Sequence, residues 1–370
     1  MIKYLTISDI HLGLKRNTTE EILNNLTSYF DNFSENSKFK NLDILFIAGD
    51  LFDTSLDYFD PDILKINLWM SRLMTFCAQY KIILRILEGT PSHDWKQSRN
   101  FKPIADSFKD RLNYRYIEDI EIEYLNNLQL YILYMPDEAR ASATLSIKRV
   151  KELLIENNIN QVDIAIMHGA FTYQIPGVVN ESFHNENDYL DIVKYFINIG
   201  HVHSFSVNQR IIAQGSFDRL SHNEEEPKGG VVCYLSDQPS YEFIENKKAK
   251  IFKTIYLRSD DVYKNLDYID NQISRYPQGS YIRIKAKKDN QIFKSFDSLK
   301  SKYILYYLSK TTIEDESEEK QIQDQELTQY NIISITQENI VSLLKSEVIS
   351  ENSLSVNQLN KLDKILLDHL

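Results

Sequence analysis

Five short apolar runs in this chain end on, or lead directly to, an aspartate or a histidine, and no other feature restricts its folding so much. "IKYLTIS" runs into Asp9 and His11, "DILFIAG" into Asp50, and "KIILRILEG" toward His93 and Asp94. Further on, "VDIAIM" ends at His168, and "KYFINIG" at His201 and His203. Runs of this length rich in Ile, Val and Leu read as buried strands. Helical periodicity separates the first three. One segment carries Ile22, Leu26, Tyr29, Phe30 and Phe33; the next carries Ile63, Ile66, Met70, Leu73 and Cys77, opened by Asp60 as N-cap and Pro61 in the first turn. Such alternation predicts an α/β (α+β) fold with one or two sheets covered by helices. Ligands of such folds gather beyond the carboxyl ends of the strands, so five strands are expected to bring their polar residues to one rim. The chain has only ten glycines, yet Gly49, Gly89, Gly169 and Gly200 stand beside these same residues. Glycine belongs where backbone turns sharply or approaches something closely.

Composition narrows the class. At 370 residues with 42% apolar content, the chain has material for two or three packed domains. No apolar run is long enough for a membrane span, and the N-terminus reads directly into a strand rather than a secretory signal. The two cysteines, Cys77 and Cys233, lie in apolar contexts, which excludes a disulfide scaffold and points to the cytoplasm. A net charge of −11 argues against a protein that coats DNA by charge alone. It is compatible with an enzyme whose positive charge comes locally from metal ions or from a partner.

Beyond the third run, "IEIEYLNNLQLYILY" alternates on both sides of Asn126-Asn127 and predicts a hairpin. A helix is expected over 147–156, and "QRIIAQGS" and "GGVVCYL" follow the histidine-bearing runs. Residues 1–245 form one candidate domain. Residues 250–310 read as a small β-α-β-α-β unit: "IFKTIYL", a helix over 263–273, "YIRIKA", a helix near Phe296, then "YILYYL". Residues 311–329 carry seven acidic residues against one lysine, an expected flexible linker. Apolar periodicity resumes in 330–370 as two short helices, the second opened by a Ser355…Gln358 capping box.

Taken singly, each polar element has a bland reading: a turn aspartate, a helix cap or a surface histidine. Their succession, each after a strand, suits a two-metal site. Residues two apart in an extended segment share a side, so Asp9 and His11, or His201 and His203, can reach a common ion. Two cations would neutralise a phosphate and lower the pKa of a shared water, with Asp50 the carboxylate suited to bridging them. Mixed Asp and His ligands favour manganese, iron or zinc over calcium. His93, oriented by Asp94, is the candidate for stabilising charge or protonating the leaving oxygen. The stretch "GTPSHD" lacks an asparagine between Gly89 and His93. Ser92, directly before His93, is the candidate for a neutral oxygen in its place.

The series Asp9-x-His11, Gly49-Asp50, Gly89…His93-Asp94, His168-Gly169 and Gly200-His201-x-His203 resembles the calcineurin-like metallophosphoesterases. "SDIHLG", "AGDLFD", "GHVHSF" and "AQGSFDRLSHNEEEPKGG" resemble the SbcD-type DNA repair exonucleases, including phage recombination versions. The match covers residues 1–235. It implies a β-sandwich flanked by helices, with Asp9, His11, Asp50 and His203 on one metal and Asp50, His168 and His201 on the other. His93 would be catalytic and Mn2+ the expected ion, with Mg2+, Fe2+ or Zn2+ as alternatives. By order and size, 250–310 resembles that family's DNA-capping domain, and 330–370 its docking segment for an SMC-like ABC ATPase. The implied function is a double-strand exonuclease and single-strand endonuclease in DNA repair, recombination and replication. A homodimer within a heterotetramer is also implied, with the Met70 face as contact or as core. Lys15, Arg16, Lys96, Arg99, Lys102 and Arg219, with His222 and Lys228, are candidate DNA contacts, while His184 and His369 read as surface residues. The rivals are a metallophosphoesterase acting on nucleotides or phosphoproteins, and a catalytically weak scaffold for the ATPase.

Overall fold

The computed structural model describes residues 1–14, 19–137, 143–174 and 183–313. Lys15 and Arg16, His369, the acidic stretch beyond 313 and the helices expected within 330–370 lie outside the described residues. Strands β1 (Ile2–Ile7), β2 (Ile44–Ala48), β3 (Ile83–Leu87) and β4 (Tyr114–Ile117) run parallel in one sheet. A second sheet is built from β5 (Glu121–Leu125), β6 (Leu130–Met135), β7 (Ile164–His168), β8 (Ile197–Gly200), β9 (Ser206–Asn208) and β10 (Ile211–Ala213). Strands β11 (Gly229–Leu235) and β12 (Ser240–Glu245) return to the first sheet, antiparallel beside β1, giving the order β12-β11-β1-β2-β3-β4. The second sheet has the order β5-β6-β7-β8-β10-β9, with a parallel centre. The Asn126-Asn127 hairpin is the β5–β6 turn.

The parallel strands read as unbroken apolar runs because both of their faces are covered. Along β2, Ile44, Phe46 and Ala48 face the other sheet and pack with Tyr134, Ile164 and Ile166. Leu45 and Ile47 point the opposite way, into a core closed by helices α1 (Thr19–Tyr29) and α2 (Pro61–Tyr80). Helix α2 starts where the sequence sets it: Asp60 accepts a hydrogen bond from the Asp62 amide, and Pro61 takes the first turn. Its buried face contains Ile66, Trp69, Met70, Leu73 and Cys77, each worth about 1.5–3 kcal/mol on removal from water. Of the two destinations open to Met70, the structure chooses the core. After α3 (Pro91–Asp94) and α4 (Lys102–Asp106), helices α5 (Ala143–Glu156) and α6 (Glu186–Leu190) cover the outer face of the second sheet with Val150, Leu154 and Tyr189. The result is two large mixed sheets, face to face, flanked by helices.

A third, three-stranded parallel sheet comprises β13 (Phe252–Tyr256), β14 (Tyr281–Ala286) and β15 (Tyr307–Thr312). Its core is filled from α7 (Val262–Ile273), α8 (Gln291–Lys294) and α9 (Phe296–Lys302). Arg219 fastens this unit to the sandwich by donating to the Lys250 carbonyl, and Glu225 does so by accepting from Lys253 Nζ and the Thr254 amide. The last strand starts later than expected, since Tyr303–Tyr306 is still turning out of α9. Because β15 runs to Thr312, the first residues of the expected linker are strand. Among the described residues, no helix is long and apolar enough to cross a membrane.

Candidate metal centre

Where β1, β2, β7 and β8 end, the two sheets present one shared edge, and six of the expected residues meet there. Asp9, His11 and His203 form one group; Asp50, His168 and His201 form another. Asp50 joins them, with Oδ1 3.2 Å from His168 Nε2 and Oδ2 3.9 Å from His11 Nε2. Within the first group, His203 Nε2 lies 3.2 Å from His11 Nε2 and 3.7 Å from Asp9 Oδ1.

The backbone is contorted to bring these side chains together. Asp9, His11, Asp50 and His201 have positive φ angles of 51°, 55°, 49° and 94°, a conformation that costs non-glycine residues about 1–3 kcal/mol each. Neighbouring glycines make the approach feasible. A Cβ on Gly89 would fall 2.0 Å from the Asp50 amide nitrogen, and one on Gly49 2.2 Å from His168 Nδ1. Four positive-φ residues and these closely approached glycines thus fall together at one polar edge.

The imidazoles are held by their far nitrogens. His168 Nδ1 lies 2.8 Å from the Ala48 carbonyl, His203 Nδ1 3.0 Å from Glu224 Oε1, and His11 Nδ1 3.1 Å from Asp53 Oδ1. In each case the outer nitrogen is engaged and Nε2 is left for the centre, the arrangement of a metal-binding histidine. Asp9 is fixed by the His201 amide at 2.9 Å and by Ser8 Oγ. Electrostatics agree with a cation site. Burial raises the cost of charge on Asp50, but the adjoining His168 holds its carboxyl far below the usual range. Burial of His203 disfavours its proton, while Glu224 restores it and lifts the pKa above the ordinary value. Donor types, burial and oriented nitrogens all fit divalent ions.

Three expectations are corrected. Ser92 does not enter the site: it is exposed, and its carbonyl accepts from Trp95 Nε1. The loop residue that enters is Thr90, whose Oγ1 lies 3.2 Å from Asp50 Oδ2 and 3.4 Å from both His168 Nε2 and His201 Nδ1. The reason is register: Thr90 precedes helix α3, while Ser92 lies within its first turn and faces outward. Asp94 does not orient His93. Its carboxylate is fully buried and accepts the amides of Phe52 and Gly89, at 2.8 and 2.7 Å, pinning the two loops together. His93 is instead held by the Asp53 carbonyl, 2.7 Å from Nδ1, with its ring edge-on to His11 at 5.0 Å. Nor is His184 a plain surface residue: it is half-buried, with Nδ1 3.0 Å from Tyr189 Oη.

The candidate DNA contacts mostly have internal partners. Arg99 and Lys96 pair with Glu118, and Lys102 with Asp106. Arg219 donates to the Glu226 and Lys250 carbonyls, and His222 packs against Phe252. Lys228 is buried and supports the site from behind, bonding Glu224 and the His203 carbonyl. Thr90, Asp53, Glu224 and Asp137 are site residues that sequence reasoning missed. Asp53 carried a signal, as the second carboxylate of "GDLFD"; Glu224 and Asp137 reach the site only through the fold.

No family model matches this chain, and no curated protein matches it. One solved structure aligns over 65% of this chain and 98% of its own at 12% identity with a TM-score of 0.38.

Proposed function

We propose that this chain is a metal-dependent phosphodiester hydrolase acting on DNA, the nuclease subunit of an SbcCD-like complex. The supporting observation is the pair of Asp/His groups joined through the two oxygens of Asp50. In this reading Asp9, His11, Asp50 and His203 hold one cation, and Asp50, His168 and His201 the other, with Mn2+ the preferred ion. Bound there, the pair of cations supplies charge neutralisation and a water of lowered pKa. His93, fixed through Nδ1, offers Nε2 to the departing oxygen as proton donor or to the developing charge as a stabiliser. Asp53 sets the positions of both His11 and His93, one through its carboxylate and one through its carbonyl.

The donor set serves many phosphoesters, so the choice of DNA rests on the sequence resemblance and on the 250–310 unit fastened beside the site. An ATPase partner bound through 330–370, a homodimer and a place with DNA in the cytoplasm belong to the same proposal. The test is cleavage of linear duplex and single-stranded DNA by the purified chain with Mn2+, beside nucleotide monoesters and phosphopeptides. The expected result is DNA cleavage that chelation abolishes and His93→Ala reduces by about 10²–10⁴-fold. Activity on monoesters or phosphopeptides alone would move the reading to a phosphatase. Absence of all activity, even with ATPase and DNA present, would leave only a scaffold.

A further inference from the structure

The "GTPSHD" stretch has no amide side chain to offer, yet the Asp50–His168–His201 group does not have a gap on the loop side. Thr90 Oγ1 stands 3.2, 3.4 and 3.4 Å from Asp50 Oδ2, His168 Nε2 and His201 Nδ1. Around an ion with bonds of about 2.1 Å, neighbouring ligand atoms lie about 3–3.4 Å apart. The hydroxyl thus occupies the corner that the other three leave open. Its position is set by the backbone: the Thr90 amide donates to Asp50 Oδ1 at 2.6 Å, and Thr90 holds the extended N-cap position just before helix α3, leaving its hydroxyl to the site. One hydroxyl proton cannot satisfy three surrounding acceptors. With a cation among those three, the proton is released to a further acceptor, and the Asp137 carboxylate, in the segment after β6, lies close to Thr90, His168, His201 and Asp50.

Building on the metal-site reading above, we infer that Thr90 Oγ1 is the neutral oxygen ligand of the second cation, and that Asp137 is its positioning residue. With the proton of Thr90 directed to the Asp137 carboxylate, the oxygen lone pairs face the ion. The carboxylate makes the hydroxyl a better donor and adds negative charge beside the cation. A hydroxyl that alone would be a poor substitute for an amide oxygen becomes adequate.

Mn2+ titration of the full-length protein by calorimetry, with electron paramagnetic resonance of the loaded samples, separates the roles. Wild type is expected to take two ions per chain and show a spin-coupled pair. Thr90→Val keeps the shape without the oxygen and should weaken the second ion roughly 10–100-fold, with loss of coupling and retention of the first ion. Thr90→Ser should bind as wild type does. Thr90→Asn, which the N-cap position also tolerates and which brings an amide oxygen, should also give the pair. Asp137→Asn should weaken the second ion by about tenfold in the Thr90 protein and much less in Thr90→Asn. Thermal unfolding of each metal-free variant shows that the fold is kept. Two coupled ions in Thr90→Val with unchanged affinity would overturn this inference and leave the metal site standing. A wild-type chain that binds no pair would overturn both.

Discussion

A carboxylate that solvent cannot reach must be answered by donors, and Asp94 is answered by the amides of Phe52 and Gly89. Its side chain ties the loop after β2 to the loop after β3, and so fixes the distance between Asp50 and His93. Asp94→Ala strands two buried amides and should cost at least ~2 kcal/mol of stability, measured by urea unfolding. Ser92→Ala, only two residues away, should change stability by less than about 0.5 kcal/mol and leave metal binding intact. Equal effects from the two substitutions would contradict the roles assigned here. Residue types in "GTPSHD" were legible, but their division of labour was not. Whether Thr90 or Ser92 faces the site depends on where helix α3 begins, and whether Asp94 faces His93 depends on amides donated from another loop.

Long elements were the easiest to read. Helix α2 has its cap, its first-turn proline and an apolar stripe, and Asp60→Ala should cost about 1 kcal/mol. "YILYYL" misled because an unbroken apolar run reads as a buried strand, yet Ile304 and Leu305 are 80% and 56% exposed and the ladder begins only at Tyr307. Pairing with Tyr281 decided that register, drawing the polar "SKTT" into an edge strand instead. Where the third sheet meets the sandwich, His222 is pushed down to about 4, first by burial and then by Arg283. Burial alone does the same to His184, also to about 4. Between pH 6.5 and about 4 the unfolded chain therefore binds protons that the folded chain refuses. These two histidines should therefore subtract stability as pH drops through that window, and thermal melts of His222→Gln should lose less over it than wild type. An unchanged slope would mean that the junction histidine titrates freely in the folded protein.

For the molecule as a whole, the proposed homodimer needs a surface other than the Met70 face. Tyr58, Phe59, Leu64 and Leu68, 84%, 88%, 75% and 53% exposed at the start of α2 and just before it, would be its candidates. Light scattering should find a dimer that Leu64→Glu with Leu68→Glu converts to monomer, with Mn2+ binding unchanged; a monomeric wild type would remove the dimer from the proposal. The candidate metal site is likewise a property of the assembled fold. Sequence by itself determined that strand-ending Asp and His residues exist, that glycines accompany them, and that helices alternate with buried strands. These are local facts, set by periodicity and by the conformations each residue type tolerates. Only the tertiary structure decided that two sheets contribute to one edge, that Asp50 stands between both groups, and that Thr90, Asp53, Glu224 and Asp137 support them. Those relations join residues far apart in the chain, and the packing of one sheet on the other creates them.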